Sequence, residues 1–221
     1  MFALGRYVLA AIGVTTLAAC ATQQQSTASW DGLERRDVKG IDQVYVRPNF
    51  KFPHYKKVII DPVQVAFSKN WDQNSTIDPS RRLDAADIQK IKDGLGQLLR
   101  ERFTRELTAG GYQVTDVPAD DTIRLSPDII NLYINAPDKM TAGISRSYTT
   151  NAGEMTLDME VHDSVTGELL ARVVDKQRAL DTGRLQWTNS VTNSADAERA
   201  IDVWARQLRA GLDRVNGPSN P

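Results

Sequence analysis

The segment from Asp84 to Gly111 constrains the fold of this chain more than any other stretch. Its apolar residues recur at steps of three and four: Ile88, Ile91, Leu95, Leu98, Leu99, Phe103 and Leu107. This spacing places them on one stripe of an α-helix, which must be buried against another layer. Asp84 is a candidate N-cap, and Gly110-Gly111 ends the helix by supplying a left-handed C-cap. We expect the stripe to pack on a β-sheet.

The segments around this helix have the patterns of β-strands. A β-branched run over 58–65 precedes it, and Pro62 indicates a bulge or an edge there because proline cannot donate to a ladder. Residues 112–117 and 122–135 predict two more strands, the second interrupted at Pro127. Alternating apolar residues predict a half-buried strand, namely Met155, Leu157, Met159 and Val161,. A turn at 163–168 predicts 169–180 as its hairpin partner, and a last helix begins near Ala195.

The order strand, helix, four strands and helix predicts an α+β fold. We expect one mostly antiparallel sheet of four to five strands with two helices packed on one face. A helical crossover after the first strand allows one parallel pair. The domain would span 58–215, followed by a disordered tail at 216–221. Aromatic residues and prolines over 30–57 predict an extended arm that lies on this domain.

The first nineteen residues have the layout of an export signal. Arg6 is followed by an apolar run of about ten to twelve residues, shorter than the roughly twenty that a membrane-spanning helix needs. The small residues that follow, Leu17-Ala18-Ala19-Cys20, resemble the bacterial lipobox, whose cysteine receives a diacylglyceryl group before cleavage. Cys20 is the only cysteine. The alternative, an ordinary secretory signal, would leave an exported thiol with no disulfide partner in this chain.

The lipobox resemblance implies an address at a membrane. Residues 1–19 would be removed, and Cys20 would carry acyl chains, including an N-linked palmitate-like chain, that hold the protein to lipid. Residues 20–29 predict a flexible tether because they bear no charge and no bulky apolar side chain. Ala21 replaces the aspartate that retains such proteins at the inner membrane. We therefore expect the outer membrane, with the domain facing the periplasm.

Asp61 is the one acid that the pattern marks as a weak functional candidate, because strand ends open onto clefts. The alternative is a carboxylate that caps a turn or the following helix. His162-Asp163-Ser164 contains the letters of a catalytic triad, but neighbouring strand residues point to opposite faces and cannot form the relay. We interpret these three residues as a strand end and a turn, and an enzyme is the less favoured prediction.

Metal and nucleic-acid binding have little support in the sequence. With Cys20 lipidated and His54 distant from His162, a zinc site of the Cys/His kind cannot form. The polar loop with Asp72, Asn74 and Asp78 lacks the spacing of a calcium loop. The 27 Lys and Arg residues balance 28 Asp and Glu residues, which argues against nucleic acid as a partner. We expect no metal and no cofactor.

Several motifs together resemble a family of bacterial lipoproteins known only as domain of unknown function 3313. They are the lipobox, Trp30-Asp31-Gly32-Leu33, Tyr45-Val46-Arg47-Pro48, Tyr55-Lys56-Lys57-Val58-Ile59-Ile60-Asp61-Pro62-Val63 and Gly111-Tyr112. The resemblance covers most of the chain after the signal. It implies no activity, cofactor or catalytic residue.

These observations predict a membrane-anchored, non-enzymatic envelope lipoprotein. Its domain would bind another envelope protein or an envelope polymer, or assist assembly. One alternative is a carboxylate-based envelope hydrolase or transferase with Asp61 as its first candidate. Another is a structural lipoprotein that self-assembles through the loop 137–153 and the hairpin edge. The sequence leaves the oligomeric state open.

Overall fold

The computed structural model describes residues 29–50, 55–71, 83–134, 147–149, 153–178, 186–188 and 190–216. These residues form eleven strands and two helices. The strands are β1 (Ser29–Trp30), β2 (Leu33–Arg36), β3 (Gln43–Val46), β4 (Lys57–Ile60), β5 (Gln64–Phe67), β6 (Gln113–Val114), β7 (Thr122–Tyr133), β8 (Ser147–Thr149), β9 (Glu154–Asp163), β10 (Leu169–Arg178) and β11 (Gln186–Thr188). The helices are α1 (Ala85–Ala109) and α2 (Ser190–Asn216).

Nine of these strands form one large sheet. Eight follow the order β1-β2-β3-β10-β9-β7-β4-β6, and β5 pairs with β7 beside that path. The pairs that involve β4 and β5 are parallel, whereas the other pairs are antiparallel. β8 and β11 form a separate two-stranded sheet. The α+β class and the parallel pair across a helical crossover are confirmed, but the prediction of four to five strands is wrong.

Two segments account for most of the larger strand count. Residues 29–46, in the region predicted to be an arm, form β1 to β3, and β3 extends the sheet by pairing with β10. Pro48 follows β3, so it ends the strand without preventing it. The predicted single strand 58–65 is split into β4 and β5 by residues 61–63. A strand, β8, also lies within the segment predicted to be a loop, 137–153.

Pro127 does not interrupt β7, contrary to the sequence prediction. The backbone N–H of Asp61 donates to the carbonyl of Leu125 at 2.9 Å. Backbone groups two residues apart on a strand face the same edge, so the nitrogen of Pro127 also faces the β4–β5 edge. There β7 pairs with β4 up to Leu125 and with β5 only from Asp128. The missing N–H of Pro127 therefore falls in a gap of the ladder.

The ends of α1 agree with the sequence. The Asp84 side chain accepts a hydrogen bond from the Asp87 N–H at 2.9 Å, and the Asp87 side chain accepts from the Asp84 N–H at 3.1 Å. This reciprocal capping box satisfies two otherwise unpaired donors. After Gly110, Gly111 takes the predicted left-handed conformation, with φ of 86°.

α2 begins at Ser190, before the predicted start. The sequence prediction starts too late because residues 190–194 are β-branched or small and polar and have low helix propensity. Within the described ranges, neither helix combines the length and apolar character needed to cross a membrane.

Both helices pack on the same face of the sheet. The buried residues Leu99, Phe103 and Leu107 of α1 form one cluster with Ile201, Trp204 and Leu212 of α2 and with alternate strand residues. The predicted inward set of β9, from Met155 to Val161, belongs to this cluster. The opposite face of β9 carries Asp158, Glu160 and His162. We call that opposite side the polar face.

Asp175 is the charged residue at the centre of this packing, with only 2% of its surface exposed. Its carboxylate accepts hydrogen bonds from the Trp204 Nε1–H at 2.8 Å and the Gln177 side-chain amide at 2.7 Å. It also accepts from the backbone N–H of Asp42 at 3.0 Å. One side chain therefore links β10, α2 and the residue that precedes β3.

Candidate functional site

A cavity of about 500 Å³ lies between the first halves of α1 and α2 and the adjoining ends of β7, β9 and β10. Its interior is mainly aliphatic, and the walls include Ile91, Leu95, Leu98, Leu132, Met155 and Ala197. The volume falls within the range of small-molecule sites, roughly 300–1,000 Å³. The described residues enclose this cavity only in part.

Small residues create this cavity. A Cβ atom built on Gly94 would meet nothing within 4 Å, and the α2 wall opposite is formed in part by Ala197 and Ala200. Successive residues of an α-helix are rotated by about 100° around the helix axis. Gly94 therefore lies on α1 between the polar lining residues, such as Lys90, and the apolar ones, such as Leu98. Gly94 thus lies at the mouth of the cavity.

A different glycine fixes the floor of the cavity. A Cβ atom at Gly153 would collide with the carbonyl oxygen of Tyr133, and both residues line the cavity. Only glycine lets the start of β9 approach the end of β7 so closely. The close approach brings Met155 and Leu132 together under the two helices.

The acids on the rim of the cavity have partners. Glu198 pairs with Arg102 at 2.6 Å, and Glu154 pairs with Lys176 at 2.7 Å. The hydrogen bond from Lys176 holds the pKa of Glu154 below its usual value, so this carboxylate stays ionised and paired. Glu101 accepts a hydrogen bond from the Gln97 amide at 2.8 Å.

Lys90 differs from these rim residues. Its side chain is exposed on α1, lines the cavity, and has no hydrogen-bond or ion-pair partner among the residues described. An ammonium group at the mouth of an aliphatic cavity has free capacity to bind an anion.

Asp61 lies on the polar face, away from the cavity. Its two carboxylate oxygens accept from the Arg124 guanidinium at 2.8 and 2.9 Å, and from the Ser126 hydroxyl at 2.7 Å. The Arg124 hydrogen bonds hold the pKa of Asp61 below its ordinary value. A bidentate ion pair of this kind stabilises the ionised form. It favours a structural role over that of a general acid, which must hold a proton near neutral pH.

The Asp61 ion pair leads to a pH-dependent prediction. Because its pKa is lower in the folded state, its contribution to stability is fully present above the unfolded value of about 3.9 and is lost as the pH falls through the folded value. We expect Asp61→Asn to lower the urea midpoint at pH 7 and to cause a much smaller loss at pH 2. Equal losses at both pH values would contradict the assignment. Asp116→Asn, at an exposed acid, is the control.

The rest of the polar face is a network of satisfied charges. Arg172 bonds Asp158 at 2.6 Å and Glu160 at 3.2 Å, and its guanidinium lies 3.8 Å from the centre of the Trp30 ring. Asp128 of β7 lies directly opposite Asp158 of β9 in the register of the two strands. Burial raises the pKa of Asp128, and the negative charges of Asp158 and Glu160 add to the effect. The network joins the β1–β2 hairpin to the middle of the sheet.

The triad-like letters do not form a triad. His162 contacts Glu160 and the carbonyl of Gly167. Asp163 accepts from the Tyr55 hydroxyl and from turn amides, and the Ser164 hydroxyl donates to the carbonyl of Ala119. The predicted turn and hairpin are confirmed.

Several residues singled out in the sequence lie outside the described ranges. They are Leu17, Ala18, Ala19, Cys20, His54, Asp72, Asn74 and Asp78. Among the residues that the structure does describe, no group of three or more His, Cys, Asp or Glu side chains is placed to hold a metal ion.

The cavity is the feature that sequence reasoning missed. Its signal is Gly94, which interrupts the helix interior at a cost of about 1 kcal/mol relative to alanine. Ala197 and Ala200 add a second signal, because residues three apart lie on one face of α2.

Comparison with known proteins identifies a family. Residues 22–208 match the family described as "Protein of unknown function (DUF3313)". None of the curated proteins matches the chain.

Solved structures of three bacterial proteins are similar at low identity. A protein of the DUF330 family from Xanthomonas campestris has a TM-score of 0.44 and 13% identity, over 77% of this chain and 90% of that one. A minor lipoprotein from Acinetobacter baumannii has a TM-score of 0.32 and 13% identity, over 72% and 94%. The PelC dodecamer from Paraburkholderia phytofirmans has a TM-score of 0.33 and 13% identity, over 80% and 98%.

With TM-scores below 0.5, these likenesses support no inference about function. The family match does not depend on them, because it rests on the sequence. It extends over residues 22–208, which include all of α1, the first two thirds of α2 and every strand of the large sheet. The chain therefore belongs to the DUF3313 family of proteins of unknown function.

Proposed function

We propose that this chain is a membrane-anchored, non-enzymatic lipoprotein of the bacterial envelope, and that its domain binds the apolar part of a partner in the cavity between α1 and α2. Cys20 would carry the lipid, and residues 20–29 would tether the domain at the periplasmic side of the outer membrane. The observation that carries the binding proposal is the aliphatic cavity of about 500 Å³.

The energetics of the cavity favour a binding site over a packing defect. Its walls forgo the dispersion contacts that close-packed neighbours would provide. Gly94 also lowers the stability of α1. Both costs occur at one place, where a leucine or methionine in place of Gly94 would remove them. If the protein binds an apolar group in the cavity, the same residues that lower its stability provide a preformed binding site.

The two alternative functions have less support. The carboxylate of Asp61 is engaged by Arg124 and Ser126, which disfavours it as the centre of a hydrolase. The hairpin strand β10 is paired with β3 from Ala171 to Val174. Just beyond, the Asp42 carboxylate accepts from the N–H of Lys176 at 3.0 Å. This part of the hairpin edge is therefore covered and does not favour self-assembly.

An apolar dye tests the binding proposal. The Cys20→Ser chain, exported behind an ordinary cleavable signal in place of residues 1–19 and purified without detergent, is titrated with N-phenylnaphthylamine, an uncharged dye that fluoresces in apolar surroundings. We expect saturable binding of one dye per chain. Gly94→Trp places an indole at the mouth of the cavity and is expected to lower the affinity for the dye at least about tenfold. The indole would exclude part of the dye from the apolar walls, and the loss of even a small contact area costs about 1.4 kcal/mol of binding free energy.

Gly211→Trp is the matched control. Gly211 lies within α2, and a Cβ atom there would also meet nothing within 4 Å, but it does not line the cavity. This variant should bind the dye as the parent chain does. Absence of saturable binding to the folded parent chain would refute the proposal, as would equal affinities of the Gly94→Trp and Gly211→Trp variants. Urea unfolding of each variant checks that it is folded.

A further inference from the structure

We infer that the ligand of this cavity is a long-chain aliphatic anion, whose chain lies between α1 and α2 and whose carboxylate or phosphate group lies against Lys90. The inference rests on the proposed function and names the chemistry of the bound group.

The shape and lining of the cavity favour a chain over a ring or a sugar. Its α1 wall runs from Lys90 to Glu101, about 16 Å at 1.5 Å per residue. The apolar interior of that wall is formed by Ile91, Leu95 and Leu98. Tyr133 is the one aromatic residue among those that line the cavity, so a planar ligand would bind through apolar contact alone and gain no stacking energy over a flexible chain. A sugar would lose hydrogen bonds to water without replacement by the aliphatic walls.

The charge at the mouth selects the head group. Glu154 and Glu198 pair with Lys176 and Arg102, and Asp196 pairs with Arg199. Lys90 alone among the cations that line the cavity has no described partner, since Arg178 pairs with Glu154. Lys90 also lies next to Ile91, where the apolar wall begins. A chain inserted along that wall therefore leaves its head group within reach of the Lys90 ammonium.

The opposite polarity would place a cationic head at Glu101, at the far end of the same wall. The Gln97 amide occupies part of the acceptor capacity of Glu101, whereas the Lys90 ammonium has all three of its donors available. An exposed charge pair contributes at most about 1 kcal/mol to the free energy of binding. The aliphatic walls therefore supply most of the affinity, and Lys90 supplies the preference for an anionic head group.

Matched amphiphiles test this inference on the same Cys20→Ser chain. Dodecanoate, dodecanol and dodecyltrimethylammonium share one chain and differ in charge, and each is titrated below its micelle concentration against bound N-phenylnaphthylamine. We expect the tightest binding for dodecanoate. Lys90→Glu should weaken dodecanoate about tenfold, with little change for dodecanol. Lys92→Glu, on the same helix but away from the cavity, is the control. Added salt should reduce the preference for the anion.

The outcomes separate the two proposals. If the dye binds, and each of the three amphiphiles binds the parent chain and Lys90→Glu with the same affinity, the cavity is a binding site but the anion inference is wrong. Tighter binding of dodecyltrimethylammonium would also overturn it. If the folded chain binds neither the dye nor any amphiphile, both proposals fail. Lysophosphatidylglycerol in place of dodecanoate distinguishes a phospholipid head group from a free fatty acid, and binding of either supports the inference.

Discussion

Replacement of Cys20 by serine, with residues 1–19 exchanged for an ordinary cleavable export signal, is expected to move nearly all of the protein from the membrane fraction to the soluble fraction of the envelope. The lipid proposed on this thiol would be a strong membrane signal. Two or more acyl chains give stable anchoring, and neither described helix is able to span a bilayer. Serine preserves the size of the side chain but lacks the thiol that forms the thioether.

Metabolic labelling with a palmitate analogue measures the same prediction chemically. The parent chain should incorporate the label and Cys20→Ser should not, while Thr22→Ser, two residues along the tether, should behave as the parent does. Membrane association of Cys20→Ser that equals that of the parent would overturn the proposed anchor.

Replacement of Asp175 by alanine is expected to produce the largest loss of stability, about 1–3 kcal/mol. The variant removes the acceptor for Trp204 Nε1–H, for the Gln177 amide and for the N–H of Asp42. Trp204 is itself almost fully buried, so its donor cannot turn to water. The free energy of unfolding from urea titration measures the loss.

Two further variants test the assignment to Asp175. Asp175→Asn keeps one carbonyl acceptor and should lose roughly half as much stability as alanine does. Asp116→Ala removes an exposed acid and should change stability by no more than about 0.5 kcal/mol. If Asp175→Ala is as stable as Asp116→Ala, the hydrogen bonds at Asp175 do not hold β10 and α2 together.

The sequence predicts those parts of the fold that depend on local pattern. The stripe from Ile88 to Leu107 and the caps at Asp84 and Gly111 locate α1 because spacing and capping are properties of neighbouring residues. The alternation from Met155 to Val161 locates β9 and its buried face for the same reason. The turn at 163–168 then positions β10.

Long-range pairing explains what the sequence does not predict. β3 joins the sheet through β10, more than a hundred residues away, and nothing near Gln43–Val46 specifies that partner. Pro127 continues β7 only because the gap between β4 and β5 falls opposite it. The cavity has the same origin, since Gly94, Gly153 and Ala197 come from three distant segments. The sequence indicates Asp61 as a strand-end acid, but its bond to Arg124 depends on the β4–β7 register.

The most direct test of the binding proposal is the mass of the intact chain under native conditions. The Cys20→Ser chain is exported in its bacterial host, purified without detergent and measured by native mass spectrometry. We predict a second species, heavier by the mass of one aliphatic anion, for this chain and for Gly211→Trp, and its loss in Gly94→Trp. Bare protein in all three, or the same added mass in Gly94→Trp, would contradict the account.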